Sequence, residues 1–231
     1  MKSEDILRFT ISSLLLLCFL SARAQEKELD TARYKDRYGL RVGADIFTPI
    51  YGLFDEDRQG FELVADYRLA KRFWVAGEMG YLDKLVTEDY YNYRSAGGYL
   101  KVGADFNAYQ NWVGMENMIV VGMRYGYSNY DITLNEYTVN SDPYLDPEIK
   151  NESISYDNLN AQWIELVLGL KVEVLHNVYL GAMFSGKVMV TATETENFKN
   201  MFAPGFNGVS VNDYGFGFSY TVSYLLPLYR K

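Results

Sequence analysis

Cysteine and histidine are almost absent from this sequence of 231 residues. Its one cysteine, Cys18, lies inside an apolar run near the N-terminus, and its one histidine is His176. A chain that loses this run has no thiol, which excludes disulfides, thiolate catalysis and cysteine-ligated metals. No later stretch offers about 20 uninterrupted apolar residues, so we expect no transmembrane helix.

An excess of positive charge is also lacking, because 22 Lys and Arg residues stand against 30 Asp and Glu residues. Nucleic-acid affinity depends on Lys and Arg contacts to phosphate, so nucleic acid is not an expected partner. Aromatic residues, by contrast, make up 16% of the chain, and there are 19 glycines. Strands and tight turns use both types, and helices disfavour glycine, so the composition predicts one large all-β domain.

The N-terminus has the pattern of a secretory signal peptide. Lys2 and Arg8 lie before an apolar run at 9–20, and Ala22-Arg23-Ala24 provides an A-x-A cleavage site. We therefore expect a signal peptide at 1–24, a charged periplasmic segment at 25–37 and a β-domain at 38–231.

Large apolar residues alternate with small or charged residues through the β-domain. In the stretch NDYGFGFSYTVSYLLPL at 212–228, Tyr214, Phe216 and Phe218 alternate with Gly215 and Gly217. Successive side chains of a strand point to opposite faces, so this pattern predicts a strand with one apolar face. The same pattern recurs at 38–48, 61–69, 73–82, 99–106, 118–128, 163–174 and 178–188.

The connections between these eight segments alternate in length. Those at 70–72, 107–117 and 175–177 are the shorter ones, and those at 49–60, 83–98, 129–162 and 189–213 are longer and polar. This alternation predicts an eight-stranded antiparallel up-and-down transmembrane β-barrel with short periplasmic turns and longer extracellular loops.

The polar face of the strands distinguishes a barrel in a membrane from one in water. Its many glycines would weaken strands exposed to water but leave room for long neighbours inside a narrow lumen. Its charges nearly cancel, as buried charges must. We therefore predict a lumen ion-pair network of Arg41, Asp45, Glu62, Asp66, Arg68, Glu78, Lys101, Asp105, Arg124, Glu165, Lys171, Glu173 and Lys187.

Residues for catalysis are scarce. Hydrolases and proteases on membrane barrels need a histidine base near the outer rim, whereas His176 falls in a short turn on the periplasmic side. The lumen carboxylates have Lys and Arg partners available, so we expect them to form ion pairs. We predict no enzymatic activity, no cofactor and no metal, and we expect contact with outer-membrane lipid and lipopolysaccharide.

Two of the predicted loops are rich in aromatic residues. The loop at 129–162 carries Tyr130 and Tyr137, and the loop at 189–213 carries Phe202 and Phe206. Exposed Tyr and Phe favour contact with a protein partner in the envelope. The alternative is that these loops pack on each other as a plug over the barrel mouth, and the sequence leaves both readings open.

The chain resembles an uncharacterised family of small Bacteroidota outer-membrane β-barrels, a domain of unknown function. The likeness is carried by YGLRVGAD at Tyr38, NWVGMENMIVVGMRYGYS at Asn111, WIELVLGLKVEVLHNVYLG at Trp163 and GFGFSYTVSYLLPLY near the end. It implies fold and location but no activity. Asp213, Gly215, Phe218 and Tyr220 resemble the assembly signal in the last strand of such barrels, and Asp30-Thr31-Ala32 resembles an O-glycosylation site at Thr31.

The first hypothesis is a non-enzymatic outer-membrane barrel with a packed charged lumen and a structural or accessory role in the cell envelope. A small pore or transport channel is the second hypothesis, although an eight-stranded bore is narrow. A soluble periplasmic carrier similar to a lipocalin is the third, and it would place the apolar face inward.

Overall fold

The computed structural model describes residues 35–55, 57–88, 90–110, 115–139, 148–193, 202–206 and 213–230. The predicted signal peptide, most of the charged segment and Thr31 lie outside the described residues. The signal peptide and the modification at Thr31 therefore stay predictions. The first strand begins at Arg37, one residue before the predicted start of the β-domain.

The described chain consists almost wholly of β-strands. In chain order the elements are β1 (Arg37–Asp45), α1 (Phe47–Gly52), β2 (Arg58–Arg68), β3 (Phe73–Thr87), β4 (Tyr91–Asn107), β5 (Met118–Val139), β6 (Glu148–Lys150), β7 (Ile154–Leu175), β8 (Val178–Ala192) and β9 (Tyr214–Arg230). No helix among the described residues is long and apolar enough to cross a membrane.

The strands form one antiparallel sheet that closes on itself. β1 pairs with both β2 and β9, and β4 pairs with β5, so the pairing returns to its start. The short β6 pairs with the far end of β5 at Tyr137–Val139. The all-β prediction is confirmed, because eight to nine antiparallel strands form a ring.

The two ends of the ring differ in their connections. At the turn end, β2 joins β3 through 69–72, β4 joins β5 through 108–117, and β7 joins β8 through 176–177. The loop end holds the remaining connections. Three of these are shorter than the sequence pattern predicts. β3 runs to Thr87 and β4 begins at Tyr91, β5 runs to Val139 and β7 begins at Ile154, and β8 runs to Ala192.

The apolar residues change face part-way along the longer strands. In β5, Val121, Met123 and Tyr125 are exposed on the outer face, whereas beyond Ser128 the apolar side chains of Tyr130 and Ile132 point inward and are buried. β3 and β7 change in the same way, at Leu82 and Trp163. The ring therefore has an outward apolar band near the turn end and an ordinary apolar interior near the loop end.

We call the outward band the apolar belt. It includes Ile119, Val121, Met123, Tyr125 and Tyr127 of β5, Ile164, Leu166, Leu168, Leu170 and Val172 of β7, and Phe216, Phe218, Tyr220, Val222 and Tyr224 of β9, all exposed.

Candidate functional site

Charged side chains fill the interior behind the apolar belt. Of the thirteen residues predicted to form a lumen network, eleven are buried, and Glu78 and Glu173 are half-buried. Twelve of them take part in salt bridges, and Asp45 is the exception. Alternation puts them all on one face, and ring closure brings opposite strands within reach of each other.

The centre of the interior is a run of shared carboxylates. Asp66 accepts from Arg41 Nη2 at 2.9 Å and from Lys171 Nζ at 2.6 Å. Lys171 Nζ also lies 3.7 Å from Asp105 Oδ2, and Asp105 Oδ1 lies 2.7 Å from Arg124 Nη1. Five residues from five strands are thus held in one chain of alternating charge.

Lys101 continues this chain toward the loop end. Its Nζ lies 2.9 Å from Glu62 Oε2 and 2.9 Å from Glu78 Oε2, and Glu78 also accepts from Arg124. Glu165 lies 3.3 Å from Lys187 Nζ, and its Oε1 accepts a hydrogen bond from Trp163 Nε1 at 2.7 Å. Each buried carboxylate of this group therefore has a cationic partner, as burial of charge requires.

Arg41 also has aromatic neighbours on two sides. Its Cζ lies 4.6 Å from the centroid of the Trp74 ring and 4.7 Å from that of Tyr179. A guanidinium stacks well on aromatic faces, and such contacts gain strength when water is excluded. The sequence pattern did not assign Trp74 or Tyr179 to the interior site.

Asp45 differs from the prediction, because it has no salt bridge among the described residues. Its carboxylate accepts from the backbone N–H of Thr48 at 2.8 Å and from the backbone N–H of Tyr220 at 2.9 Å. β1 ends at Asp45 and α1 begins two residues later, so these N–H groups have no strand partner and the carboxylate satisfies them. Asp45 fixes the end of a strand and does not belong to the ion-pair chain.

A second cluster at the turn end centres on a residue outside the predicted network. Arg37 Nε lies 3.1 Å from Glu116, its Nη1 donates to Asn177 Oδ1 at 2.7 Å, and its Nη2 pairs with Glu173. The sequence pattern predicts Arg37 in the periplasmic segment and Glu116 in a turn. Arg68, which was predicted, pairs with Asp36 at 3.0 Å in the same region.

Residues 202–206 close the interior at the loop end. The backbone N–H of Phe202 donates to Tyr93 Oη at 2.9 Å, Ser95 Oγ donates to the Phe202 carbonyl at 2.8 Å, and Lys187 Nζ donates to the Gly205 carbonyl at 2.7 Å. Phe202 and Phe206 are buried, and Phe206 packs edge-on against Trp163. For this segment the structure favours the plug over the exposed protein contact.

Two glycines allow this closure. Gly205 has a φ of +81°, a backbone conformation that L-residues other than glycine rarely adopt. Gly126 lies beneath the Trp163 indole, where a Cβ atom would stand 2.2 Å from Trp163 Cε2. Small residues on the inner face therefore leave room for a bulky neighbour, as the sequence predicts.

Little space remains inside the ring. A cavity of about 40 Å³ lies toward the loop end, lined in part by Glu62, Lys101, Glu165 and Lys187. It has room for a few water molecules. Arg41, Asp105 and Glu165 at the level of the belt are each no more than 1% exposed.

His176 lies at the turn end of the ring. The residue is exposed in the turn between β7 and β8, as its sequence position predicts. No group of three or more His, Cys, Asp or Glu side chains suited to a metal ion occurs within the described ranges.

The residues of the predicted assembly signal lie at the start of β9. Asp213 has a φ of 59° directly before the strand, and Gly215 faces inward against Phe206. Phe218 and Tyr220 lie on the outer face within the apolar belt. Their role in assembly stays a prediction.

Comparison with known proteins identifies a family. The model of the domain of unknown function DUF6048 matches residues 6–231. The chain belongs to the DUF6048 family. No curated protein matches this DUF6048 chain. Among solved structures it is similar to Ail, the attachment invasion locus protein of Yersinia pestis, with 10% identity and a TM-score of 0.41 over 82% of this chain and 97% of that chain. The fold assignment rests on the strand pairing described above.

Proposed function

We propose that this protein is an eight-stranded up-and-down β-barrel of the outer membrane, with a packed charged lumen and a non-enzymatic structural or accessory role in the envelope. The turn end faces the periplasm and the loop end faces outward, in the Gram-negative setting of Bacteroidota that the family resemblance implies. In this proposal the short β6 is an addition to the outer end of β5 and does not enter the ring.

The main support for this proposal is that, within a single strand, the apolar residues lie on the outer face in one part and on the inner face in the other. Along β5 the exposed outer residues change from Tyr125 and Tyr127 to Asn129 and Asp131, while Arg124 inside gives way to Tyr130. A barrel in water keeps its apolar residues inside along its whole length. A strand that passes from lipid into water is expected to have apolar residues outside and charged residues inside only in the segment within the lipid.

Outer-membrane separation with a gel assay tests the location. We expect the mature protein to stay in envelopes washed with urea and to migrate differently on gels before and after boiling, because a closed barrel resists detergent until heated. Release into the aqueous supernatant, with no change in migration, would contradict the membrane assignment and favour the soluble carrier.

The charged packing also argues against the pore hypothesis. The alternating chain from Arg41 to Lys187 crosses the interior, and residues 202–206 cover its loop end. We expect purified protein in planar bilayers to give no steady single-channel current. Reproducible current steps would favour a pore.

A partner in the envelope is part of the accessory role. Lipid and lipopolysaccharide are the expected contacts of the belt, and a protein partner would bind the outer parts of the segments at 129–162 and 189–213. Crosslinking in intact cells followed by mass spectrometry tests this, with linkages confined to the turn end as the contrary outcome.

A further inference from the structure

Two cations lie opposite each other just above the apolar belt. Arg58 of β2 lies directly opposite Lys84 of β3 in the strand register. Both share the inner face of the sheet with Glu62 and Leu82, which are buried. Like charges directly opposite on neighbouring strands are destabilising, so this pair has a cost in the empty protein.

Neither side chain has an acidic partner among the described residues. The salt bridges of the interior engage Arg37, Arg41 and Arg68 as well as the buried lysines, but not Arg58 or Lys84. The Nε atom of Arg58 is buried and makes no hydrogen bond. The two cations contact aromatic rings instead, with Arg58 Cζ 5.5 Å from the Tyr51 centroid and Lys84 Nζ 4.9 Å from that of Phe202.

The surroundings of Lys84 disfavour its charge. Burial lowers the pKa of Lys84, and the nearby charge of Arg58 lowers it further. Asp55 and Glu88 act in the opposite direction, but in the described part of the chain neither forms a salt bridge with Lys84. An anion bound between the two cations would offset the repulsion and give the buried Nε of Arg58 an acceptor.

Space for a small group adjoins Arg58. Arg58 lines the cavity of about 40 Å³ together with Thr48 and Ser185, whose hydroxyl groups can donate hydrogen bonds. Four carboxylates also line this cavity, and each already has a partner: Asp45 accepts from backbone N–H groups, and Glu62, Glu78 and Glu165 pair with lysines. These acidic groups therefore have no need of the guanidinium of Arg58.

We propose that Arg58 and Lys84 form a binding site for the phosphate or carboxylate group of a soluble ligand. The planar guanidinium offers two parallel donors to such a group, and the ammonium adds a point charge. Both residues lie on the inner face of the sheet beyond the belt, so the proposed ligand is a soluble one and not a lipid headgroup. The site does not depend on the accessory role, and gel migration reports barrel formation independently of it.

Titration of inorganic phosphate into the full mature protein in maltoside micelles tests this site. At constant ionic strength we expect a saturable rise in the unfolding midpoint, and acetate titrated in the same way reports a carboxylate preference. R58Q and K84Q should each weaken binding at least about tenfold, because each removes a charged hydrogen-bond donor. R94Q is the matched control, since Arg94 lies on the outer face of β4, is 60% exposed and pairs with Asp83.

The midpoints without ligand separate a binding role from a structural one. R58Q and K84Q should unfold at the wild-type midpoint or above it when no anion is present, because either change removes the repulsion. A lower midpoint in these variants, a non-saturable response to both anions, or an equal loss in R94Q would overturn the proposal. Protection by lipopolysaccharide in nanodiscs, with no effect of phosphate or acetate, would also overturn it by assigning the pair to a lipid headgroup.

Discussion

Asp66 is the residue on which the interior charge chain depends most, because one carboxylate serves both Arg41 and Lys171. We predict that D66N destabilises the folded protein by about 3–5 kcal/mol, since removing one member of a buried pair leaves uncompensated charge behind. Urea unfolding from phospholipid vesicles, followed by far-ultraviolet circular dichroism, measures the change.

An exposed ion pair provides the control for this variant. Asp83 pairs with Arg94 on the outer face above the belt, where the Arg94 side chain is 60% exposed. D83N should cost less than about 1 kcal/mol, because solvent screens such a pair. Equal effects of D66N and D83N would mean that water reaches the interior chain.

Gly126 makes room for Trp163, and its replacement gives a second prediction at this scale. A Cβ atom at position 126 would stand 2.2 Å from the indole, whereas nothing lies within 4 Å of the corresponding position at Gly186. We expect G126A to destabilise by about 1–3 kcal/mol through overpacking. G186A should leave the unfolding midpoint near that of the wild type, and a similar loss in both would point to strand propensity as the cause.

At the level of the strand, alternation predicts which side chains share a face of the sheet. It does not predict where along the strand that face passes from one environment into another. The segment at 118–128 was predicted from alternation, and β5 starts at Met118 as expected. The pattern does not predict its continuation to Val139, because there the apolar residues Tyr130, Ile132 and Leu134 lie on the inner face of the strand. A pattern that shifts by one residue resembles the end of a strand, although here it marks a change of surroundings.

The sequence predicts members of the interior network only where charged residues fall within alternating segments. Arg41 and Lys171 lie in such segments. Arg37 and Glu116 lie at a strand start and in a turn, and they meet only because the ring brings distant parts of the chain together. The sequence leaves the plug at 202–206 as one of two alternatives, since no periodic pattern indicates the direction of an irregular segment.

The two segments of β5 should respond differently to a new charge. Met123 is 63% exposed in the belt, and Asn135 is exposed beyond it. M123R should reduce stability by about 2–4 kcal/mol, the cost of arginine on a lipid-facing strand near the midplane. N135R should change it by less than about 0.5 kcal/mol, as expected of a surface site. Urea titrations in vesicles compare the two, and a neutral M123R would place the belt in water.

Over the whole molecule, the two sides of the sheet contribute to stability in different ways. In the proposed membrane location, lipid would leave backbone groups no partners, and ring closure through β1–β9 and β4–β5 satisfies the strand edges. Inside, paired charges and aromatic contacts to Arg41 replace the apolar core of a soluble barrel. A larger apolar core lies near the loop end, around Tyr130 and Phe206, and a small cluster of Trp74, Met118 and Val120 lies near the turn end.

The height of the belt leads to a prediction about the surrounding bilayer. Its outer row on β5 runs over the nine residues Ile119–Tyr127, about 30 Å along the strand. A strand tilt of about 40° reduces this to roughly 23 Å along the bilayer normal, thinner than a typical hydrocarbon core of about 30 Å. Mismatch has an energetic cost, so the folded fraction should be larger in vesicles of short-chain phospholipids than in those of long-chain phospholipids. Gel migration without boiling measures that fraction, and a preference for the thicker bilayer would mean that the hydrophobic span extends past Tyr127 into the segment of Asn129 and Asp131.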